Sequence, residues 1–238
     1  MAKKKQDRPR CVGFIMDGNR RWAKERGLDT LEGHQAGYEK LLPFCTWCKE
    51  RGTKVVTAFG FSSENWNRTE REVEYLMKLL EKALRESFSD KAKSDEAERL
   101  GVRVQVIGQK YRLPKSLQEA IQEVEEATKD RTNLSLNLAI SYGGRWDITQ
   151  AAQKIIEEGI PADQVTEDTI VERLSTAGVP DPDLIIRAGG EKRLSNFVLW
   201  QGAYAELYFS PKYWPDFEEQ DLKEAFQEYA RRQRRYGH

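Results

Sequence analysis

The chain has 238 residues, enough for one large domain or at most two small ones, and its 39 Lys and Arg residues balance its 39 Asp and Glu residues. This balance gives no case for a nucleic acid partner, and no run approaches the ~18 apolar residues of a transmembrane helix. No signal-peptide pattern opens the chain, and its three cysteines, an odd number, indicate a reducing compartment. We therefore expect a globular protein of the cytoplasm.

Short apolar runs alternate along the chain with longer segments that repeat their apolar residues at helical spacing. We predict strands over residues 12–16, 54–61, 102–108, 134–140, 184–187 and 205–209. We predict helices over residues 35–51, 70–100, 115–128, 146–158 and 219–235, and a further helix that Thr166 caps and that ends near Gly178. Strands separated by helices favour a single α/β domain, with one parallel sheet covered on both faces. We place this domain at residues 11–238, after a basic tail over residues 1–10.

The most informative segment follows the first predicted strand and reads Asp17, Gly18, Asn19, Arg20, Arg21. A strand that leads through a glycine turn into a helix places backbone N–H groups where open α/β sheets bind anions. The two arginines add planar donors that match phosphate oxygens. A carboxylate among these donors would repel a phosphate unless a divalent cation lies between them. The segment therefore predicts a magnesium-assisted site for a phosphorylated substrate.

Polar clusters also follow other predicted strands. They read FSSENWNR (61–68), SYGGRWD (141–147) and RAGGEKRLSN (187–196), and an acid lies in the last strand segment, AYAELYF. Loops that follow parallel strands face one end of the sheet, so we expect their polar residues to converge there. The residues expected to converge are Asp17, Asn65, Arg68, Arg187, Arg193, Ser195 and Glu206.

The arginines of these clusters fall into two groups along the chain. Arg20, Arg21 and Arg68 follow the first two strands, whereas Arg187 and Arg193 follow the fifth. Two groups indicate two anionic ligands or one very long ligand, because each hydrogen bond to a charged group contributes about 1.5–3 kcal/mol. The apolar residues of the 70–100 helix and of the fourth strand either form ordinary packed core or surround a hollow that receives an apolar tail.

Cys45 and Cys48 form a single C-x-x-C within a predicted helix. A zinc site needs about four ligands, and the chain offers only Cys11, His34 and His238 besides this pair. We interpret the pair as packing residues, since a redox cysteine is expected at an exposed helix start.

Seven segments together resemble the cis-prenyltransferases, the undecaprenyl and polyprenyl diphosphate synthases. They are MDGNRRWA, GHQAG, FSSENWNR, SYGGRWD, IRAGGEKRLSNFVLWQ, AYAELYF and WPDF, in an order and spacing that match from Val12 to Gly237. The resemblance implies a homodimer with a six-stranded, mostly parallel sheet and an apolar tunnel. It also implies Mg²⁺-dependent, sequential addition of isopentenyl diphosphate to an allylic diphosphate such as farnesyl diphosphate, with a cis double bond formed at each step.

The resemblance implies a role for each matching position. Asp17 and Asn65 would be catalytic, and Asp17 would hold magnesium together with Glu206. The residues implied to bind substrate are Gly18, Asn19, Arg20, Arg21, His34, Ser62, Asn65, Trp66, Arg68, Arg187, Arg193, Ser195, Arg235 and Gly237. Of these, Arg187, Arg193 and Ser195 would bind isopentenyl diphosphate, and Arg235 and Gly237 would reach the active site of a neighbouring subunit. The positions implied to line the tunnel are Gly60, Leu134 and Leu136.

Some positions depart from the family pattern. Thr30 replaces an arginine that many members carry four residues before the histidine, and Ala188 replaces the usual threonine. Arg20 stands where many bacterial members have glycine and other members have arginine. Primer choice, product length and the proton acceptor therefore stay open, and an enzyme with so apolar a product is expected to contact membranes transiently. Two alternatives also stay open: a non-catalytic subunit of the same fold, and an unrelated nucleotide-binding enzyme, which the lack of G-x-x-x-x-G-K-[ST] and G-x-G-x-x-G disfavours.

Overall fold

The computed structural model describes residues 8–89 and 98–232 and contains one six-stranded sheet. The strands are β1 (Cys11–Ile15), β2 (Val55–Ser62), β3 (Val102–Ile107), β4 (Leu134–Tyr142), β5 (Leu184–Arg187) and β6 (Glu206–Phe209). They lie in the order β3-β4-β2-β1-β5-β6, and every neighbouring pair is parallel. The prediction of one parallel sheet in a single α/β domain is confirmed.

The register of the sheet places the ends of β1 and β5 side by side, next to β2. Ile15 at the end of β1 lies opposite Phe59 of β2 and opposite Arg187 at the end of β5. All residues of β1 and β5 are buried and mostly apolar, as expected for central parallel strands. The loops that follow these strands therefore start from a rigid, buried edge.

Helices cover the sheet between the strands. They are α1 (Asn19–Glu25), α2 (Thr30–Glu39), α3 (Leu41–Glu50), α4 (Glu70–Ser89), α5 (Lys115–Thr128), α6 (Gly144–Glu157), α7 (Glu167–Val171) and α8 (Glu219–Arg231). The helix predicted over residues 35–51 is in fact two helices that meet at Lys40. A continuous helix is disfavoured there because the ring of Pro43 would clash with the carbonyl of Glu39.

Two other helix predictions need shorter limits. Thr166 caps α7 as predicted, through a capping box with Thr169, but this helix ends at Val171 and turns follow it. Helix α4 is described to Ser89, so most of the charged far half of the predicted 70–100 helix lies outside the described residues.

The aromatic core lies directly beneath the end of β1. Phe14, Phe44, Trp214 and Phe217 are fully buried, and their ring centroids lie 4.4–6.1 Å apart. The Trp214 indole N–H donates a 2.6 Å hydrogen bond to the Gly37 carbonyl. This core therefore joins the end of β1 to helix α2.

Glycines allow α1 and α2 to approach closely. A Cβ at Gly33 would overlap the Asn19 carbonyl, and a Cβ at Gly37 would lie 2.7 Å from the Asn19 side-chain amide. The spacing of the GHQAG segment thus holds Asn19 against α2.

Cys45 and Cys48 are fully buried in α3, and both thiols are free. Burial raises the pKa of the Cys45 thiol to about 12. These observations agree with a packing role for the pair. Within residues 8–89 and 98–232, no helix is both long enough and apolar enough to cross a bilayer.

Candidate active site

A cleft of about 610 Å³ opens at the carboxyl ends of β1, β2 and β5. Part of its lining is apolar, with Ile15 from β1, Phe59 from β2 and Leu76 from α4, and the rest is mostly polar. The residues that line it are Ile15, Met16, Asp17, Asn19, His34, Phe59, Gly60, Ser62, Glu64, Asn65, Arg68, Leu76, Arg145, Arg187, Ser195, Asn196 and Leu199.

The turn after β1 presents Asp17 to this cleft. Gly18 has a positive φ of 104°, and a Cβ there would lie 2.6 Å from a tyrosine ring, so the turn requires glycine. The Asp17 carbonyl accepts a 2.9 Å hydrogen bond from the Trp214 backbone N–H. The Asp17 carboxylate lies 2.8 Å from Arg187 Nη2 and 3.2 Å from Arg21 Nη2. The Asp17 carboxylate therefore contacts one arginine four residues along the chain and another from the distant strand β5.

Arg187, at the end of β5, organises the other side of the cleft. It is only 4% exposed, and its Nη1 donates a 2.7 Å hydrogen bond to Ser195 Oγ. Glu191 joins two more arginines, because its carboxylate lies 3.5 Å from Arg21 Nη1 and accepts a hydrogen bond from Arg193 Nη1. We define the β5 cluster as Asp17, Arg21, Arg187, Glu191, Arg193 and Ser195.

The loop after β5 contains unusual backbone. Ser195, Asn196 and Val198 have positive φ angles of 49°, 66° and 33°. Such conformations are costly for residues other than glycine, above all for a β-branched valine, and they concentrate at functional sites. The Arg187 Nε is also buried, and it has no hydrogen-bond partner in the described part of the chain.

A second group of charged residues lies where α2 meets α4. His34 Nε2 lies 3.0 Å from Glu72 Oε1, and Arg68 Nη1 donates a 2.8 Å hydrogen bond to the same oxygen. The Arg20 Nε lies 3.8 Å from this oxygen. We call these four residues the α4 cluster.

Burial and pairing shift the ionisation of the α4 cluster. Burial lowers the pKa of His34, against the opposing effect of its hydrogen bond to Glu72. Burial also lowers the pKa of Arg68. Burial alone would raise the pKa of Glu72, but its hydrogen bond to His34 and the charges of the two arginines outweigh that effect and lower it. The cluster therefore holds a neutral imidazole and an ionised carboxylate at neutral pH.

The loop after β2 forms a 3-10 helix over Ser63–Asn67. A capping box begins it, in which the Ser62 backbone N–H donates to Asn65 Oδ1 at 3.1 Å. The Trp66 indole N–H donates a 2.8 Å hydrogen bond to Ser141 Oγ in β4. These contacts fix the loop on the sheet beside the α4 cluster.

Known proteins are similar to this chain in sequence. The family model described as "Putative undecaprenyl diphosphate synthase" matches residues 15–237. Dehydrodolichyl diphosphate synthase 1 from Arabidopsis thaliana is 44% identical over 96% of this chain and 76% of its own length. An isoprenyl transferase from Thermotoga maritima is 45% identical over 96% of this chain and 97% of its own length. The chain belongs to the cis-prenyltransferase family.

Solved structures agree with this family membership. Lavandulyl diphosphate synthase from Lavandula x intermedia, solved with dimethylallyl diphosphate, has a TM-score of 0.88 at 39% identity and covers 98% of this chain and 99% of its own. A probable undecaprenyl diphosphate synthase from Campylobacter jejuni has a TM-score of 0.80 at 33% identity, with 97% and 99% covered. The resemblance to cis-prenyltransferases that the sequence motifs indicated is thus confirmed.

The structure brings many of the predicted site residues of this cis-prenyltransferase together. Those that line the cleft are Asp17, Asn19, His34, Ser62, Asn65, Arg68, Arg187 and Ser195, together with the predicted tunnel residue Gly60. Gly18, Arg20, Arg21, Trp66 and Arg193 flank the cleft through the contacts described above. Leu134 and Leu136 instead lie in the packed core of the sheet. Arg235 and Gly237 lie outside the described residues.

The expectation that Glu206 converges with Asp17 is wrong within a single chain. Glu206 begins β6 opposite Leu184, at the amino end of β5, whereas Asp17 follows the carboxyl end of β1. Its carboxylate lies 3.0 Å from Arg232 Nη1 instead. A residue at the start of a parallel strand faces the opposite edge of the sheet from the loops that follow the strands.

Four polar residues of the site were absent from the sequence prediction. Glu64, Arg145 and Asn196 line the cleft, and Glu191 bridges two arginines beside it. Burial would raise the pKa of Glu64, but the hydrogen bond that it accepts from Asn196 and bonds from nearby backbone and serine groups lower it. All four residues lie within the polar segments singled out in the sequence, so their positions, though not their partners, were available there.

Asp17 is the residue best placed to hold a metal ion. No group of three or more His, Cys, Asp or Glu side chains that could hold a metal occurs among residues 8–89 and 98–232. A magnesium ion commonly takes only one or two protein carboxylates and completes its shell with substrate phosphates and water. A single carboxylate between two arginine groups fits an ion of that kind.

Proposed function

We propose that this protein is a magnesium-dependent cis-prenyltransferase that adds isopentenyl diphosphate repeatedly to an allylic diphosphate primer such as farnesyl diphosphate. One observation supports it most directly. The Asp17 carboxylate lies 2.8 Å from Arg187 Nη2 and 3.2 Å from Arg21 Nη2, in a cleft whose lining is partly apolar. A site in which an acid lies against arginines from two segments, beside an apolar lining, suits two diphosphates that carry apolar groups.

The residues of the site divide the work of binding. Arg68 and Arg20 offer donors to the allylic diphosphate, while Arg187 and Ser195 offer donors to isopentenyl diphosphate. Holding both diphosphates fixes the reacting carbons close to each other, which removes much of the entropic barrier. Asp17 would hold a magnesium ion, and that ion would supply positive charge to stabilise the departing diphosphate.

The apolar part of the lining protects the reacting carbons. Ionisation of the allylic C–O bond leaves a delocalised carbocation, which water would trap. Ile15, Phe59 and Leu76 line the same cleft as the charged residues and offer the reacting carbons an apolar surface without water. The electrons of the isopentenyl double bond then form the new C–C bond, and loss of a proton completes each addition.

A direct assay tests this proposal. The purified protein is incubated with Mg²⁺, labelled isopentenyl diphosphate and either farnesyl or dimethylallyl diphosphate, and the extracted lipids are resolved by chain length. We expect a labelled polyprenyl product that EDTA abolishes. We also expect Asp17→Ala to lower kcat by about 10²–10³, the usual effect of removing a group that stabilises developing charge. Asp163→Ala, at an exposed position in a 3-10 helix, is the matched control.

The same assay distinguishes the alternative function. A protein that yields no product with either primer, but raises the rate of synthesis by an active relative above that relative's own rate, would be a non-catalytic subunit. Retention of Asp17, Arg187 and Ser195 in one cleft favours the enzyme.

We further propose that the enzyme is a cytoplasmic homodimer that contacts membranes transiently to release its product. Light scattering tests the dimer, and co-sedimentation with lipid vesicles after turnover tests the membrane contact.

A further inference from the structure

One asparagine side chain joins three loops of the cleft. Asn196 Nδ2 donates a 2.8 Å hydrogen bond to Glu64 Oε1, and Asn196 Oδ1 accepts a 2.9 Å hydrogen bond from the Arg145 backbone N–H. Its backbone carbonyl accepts a 2.7 Å bond from the Gly144 N–H. These partners are 132 and 51 residues away in sequence for the two side-chain bonds, so the contacts are purely tertiary.

The joined loops carry the residues of different clusters. Glu64 belongs to the 3-10 helix that leads into Arg68 of the α4 cluster. Asn196 directly follows Ser195 of the β5 cluster. A hydrogen bond between Glu64 and Asn196 therefore links the loop on one side of the cleft to the loop on the other.

The local conformation is built for this contact. Asn196 has a φ of 66°, a region that asparagine tolerates better than most residues. A Cβ at Gly143 would lie 2.5 Å from both Asn196 Nδ2 and Ser63 Oγ, so a larger residue there would displace these two side-chain groups. Sequence and backbone thus agree on bringing these loops into contact.

We propose that Asn196 is a positioning residue that couples the two diphosphate half-sites, so that ordering one loop by its ligand orders the other. This inference rests on the proposed function for the identity of the ligands. Because the Glu64–Asn196 bond joins a carboxylate to an amide, it has the strength of a charge-assisted hydrogen bond. Binding of either substrate then tightens binding of the other, since the second ligand finds its loop already placed.

A reciprocal swap tests the bond itself. Asn196→Asp keeps a side chain that tolerates the positive φ and still accepts from the Arg145 N–H, but it places a second carboxylate against Glu64. Adding Glu64→Gln restores one donor and one acceptor with reversed polarity. Glu64→Gln alone keeps an acceptor for Asn196 and is expected to cause an intermediate loss.

The functional measurement is the coupling between substrates. Binding of a non-reactive thio analogue of the allylic diphosphate is measured with and without isopentenyl diphosphate. We expect isopentenyl diphosphate to tighten analogue binding in the wild-type protein. The factor by which isopentenyl diphosphate tightens analogue binding should fall by about 10-fold in Asn196→Asp. In the double variant it should recover to within about 3-fold of the wild-type factor. A role confined to local folding would lower each affinity but leave the tightening by isopentenyl diphosphate unchanged.

Hydrogen exchange in the protein without ligands keeps the inference separate from the proposed function. Amides of residues 62–68 should exchange faster in Asn196→Asp than in the wild type, and should regain protection in the double variant. Unchanged exchange, or a double variant no better than Asn196→Asp, would overturn the inference even in an active enzyme. A wild-type protein that makes no product while the exchange pattern holds would overturn the proposed function alone.

Discussion

The α4 cluster and the β5 cluster both place acids against arginines, but they differ in exposure. The Glu72 side chain of the α4 cluster is 9% exposed, and its partner His34 is 6% exposed. In the β5 cluster the side chains of the acids are more exposed, Asp17 at 29% and Glu191 at 36%. The Arg187 side chain, by contrast, is only 5% exposed. In one cluster the acid is the fixed member, and in the other it is the arginine.

This difference indicates two ways of preparing a site for an anion. A buried acid cannot leave its arginine without a large desolvation cost, so Glu72 holds Arg68 in place whether or not a ligand is bound. An exposed acid can exchange its arginine for a cation or a phosphate at little cost. The β5 cluster is therefore suited to changes of ion-pair partner during turnover, whereas the α4 cluster is suited to keeping the same ion pair throughout.

The largest expected effect comes from replacing the fixed arginine of the β5 cluster. Arg187→Lys keeps a charge but loses the planar group that reaches Asp17 and Ser195 together, so we expect kcat/KM to fall by about 100-fold. Arg68→Lys keeps its single ion pair with Glu72 and should cost only about 10-fold. Steady-state kinetics with both substrates measure the two losses, and equal losses would contradict the contrast between the clusters.

Stability should show the opposite contrast. Glu72→Gln removes the buried charge that faces His34 and Arg68, so we expect the free energy of unfolding to fall by about 2–3 kcal/mol. Glu191→Gln removes a partly exposed charge and should cost less than about 1 kcal/mol. Urea unfolding of both variants provides the measurement. A Glu191→Gln variant as unstable as Glu72→Gln would show that exposure does not govern these pairs.

The convergence of Asp17 and Arg187 could be predicted from the sequence, but the position of Glu206 away from them could not. Parallel strands separated by helices determine that the loops after β1 and β5 share an edge. Glu206 lies at the start of β6, three residues from Phe209, which is opposite Arg187. At about 3.3 Å per residue, that places it ~10 Å from the site edge, a distance that depends on where a short strand begins.

The hydrogen bonds across the cleft were the least predictable feature. The break between α2 and α3 could have been read from Pro43, since its ring excludes a continuous helix there. The contact from Asn196 to Glu64 has no such local signal, because it depends on positive φ angles in a loop and on the position of a 3-10 helix far away in sequence. Residue type alone marked these loops as polar without naming partners.

Acid should weaken the α4 cluster through His34. Its pKa is lowered by burial from the ordinary 6.5, so the unfolded chain takes up the proton before the folded chain does. The free energy of unfolding should therefore fall as the pH drops from 7.5 to 5.5. Glu72→Gln should steepen this fall, because Glu72 opposes the lowering.

His34→Gln supplies the control for the pH dependence, since it removes the titrating group. Urea unfolding at the two pH values should show a smaller fall in this variant than in the wild type. An equal fall in both proteins would assign the pH dependence to other groups.

The smallest expected effect concerns the loop beside the α4 cluster. The Arg112 guanidinium lies 4.9 Å from the centre of the Trp66 ring, whose indole N–H bonds Ser141. We expect Arg112→Gln to lower the free energy of unfolding by about 0.5–1 kcal/mol, the usual range for an exposed cation–π contact. Arg112→Lys keeps the cation and should lose less. If the glutamine and lysine variants lost the same stability, the contact would owe its effect to packing of the arginine side chain. The arrangement of the α4 cluster would then depend on Glu72 and His34, with no contribution from the cation–π contact at Trp66.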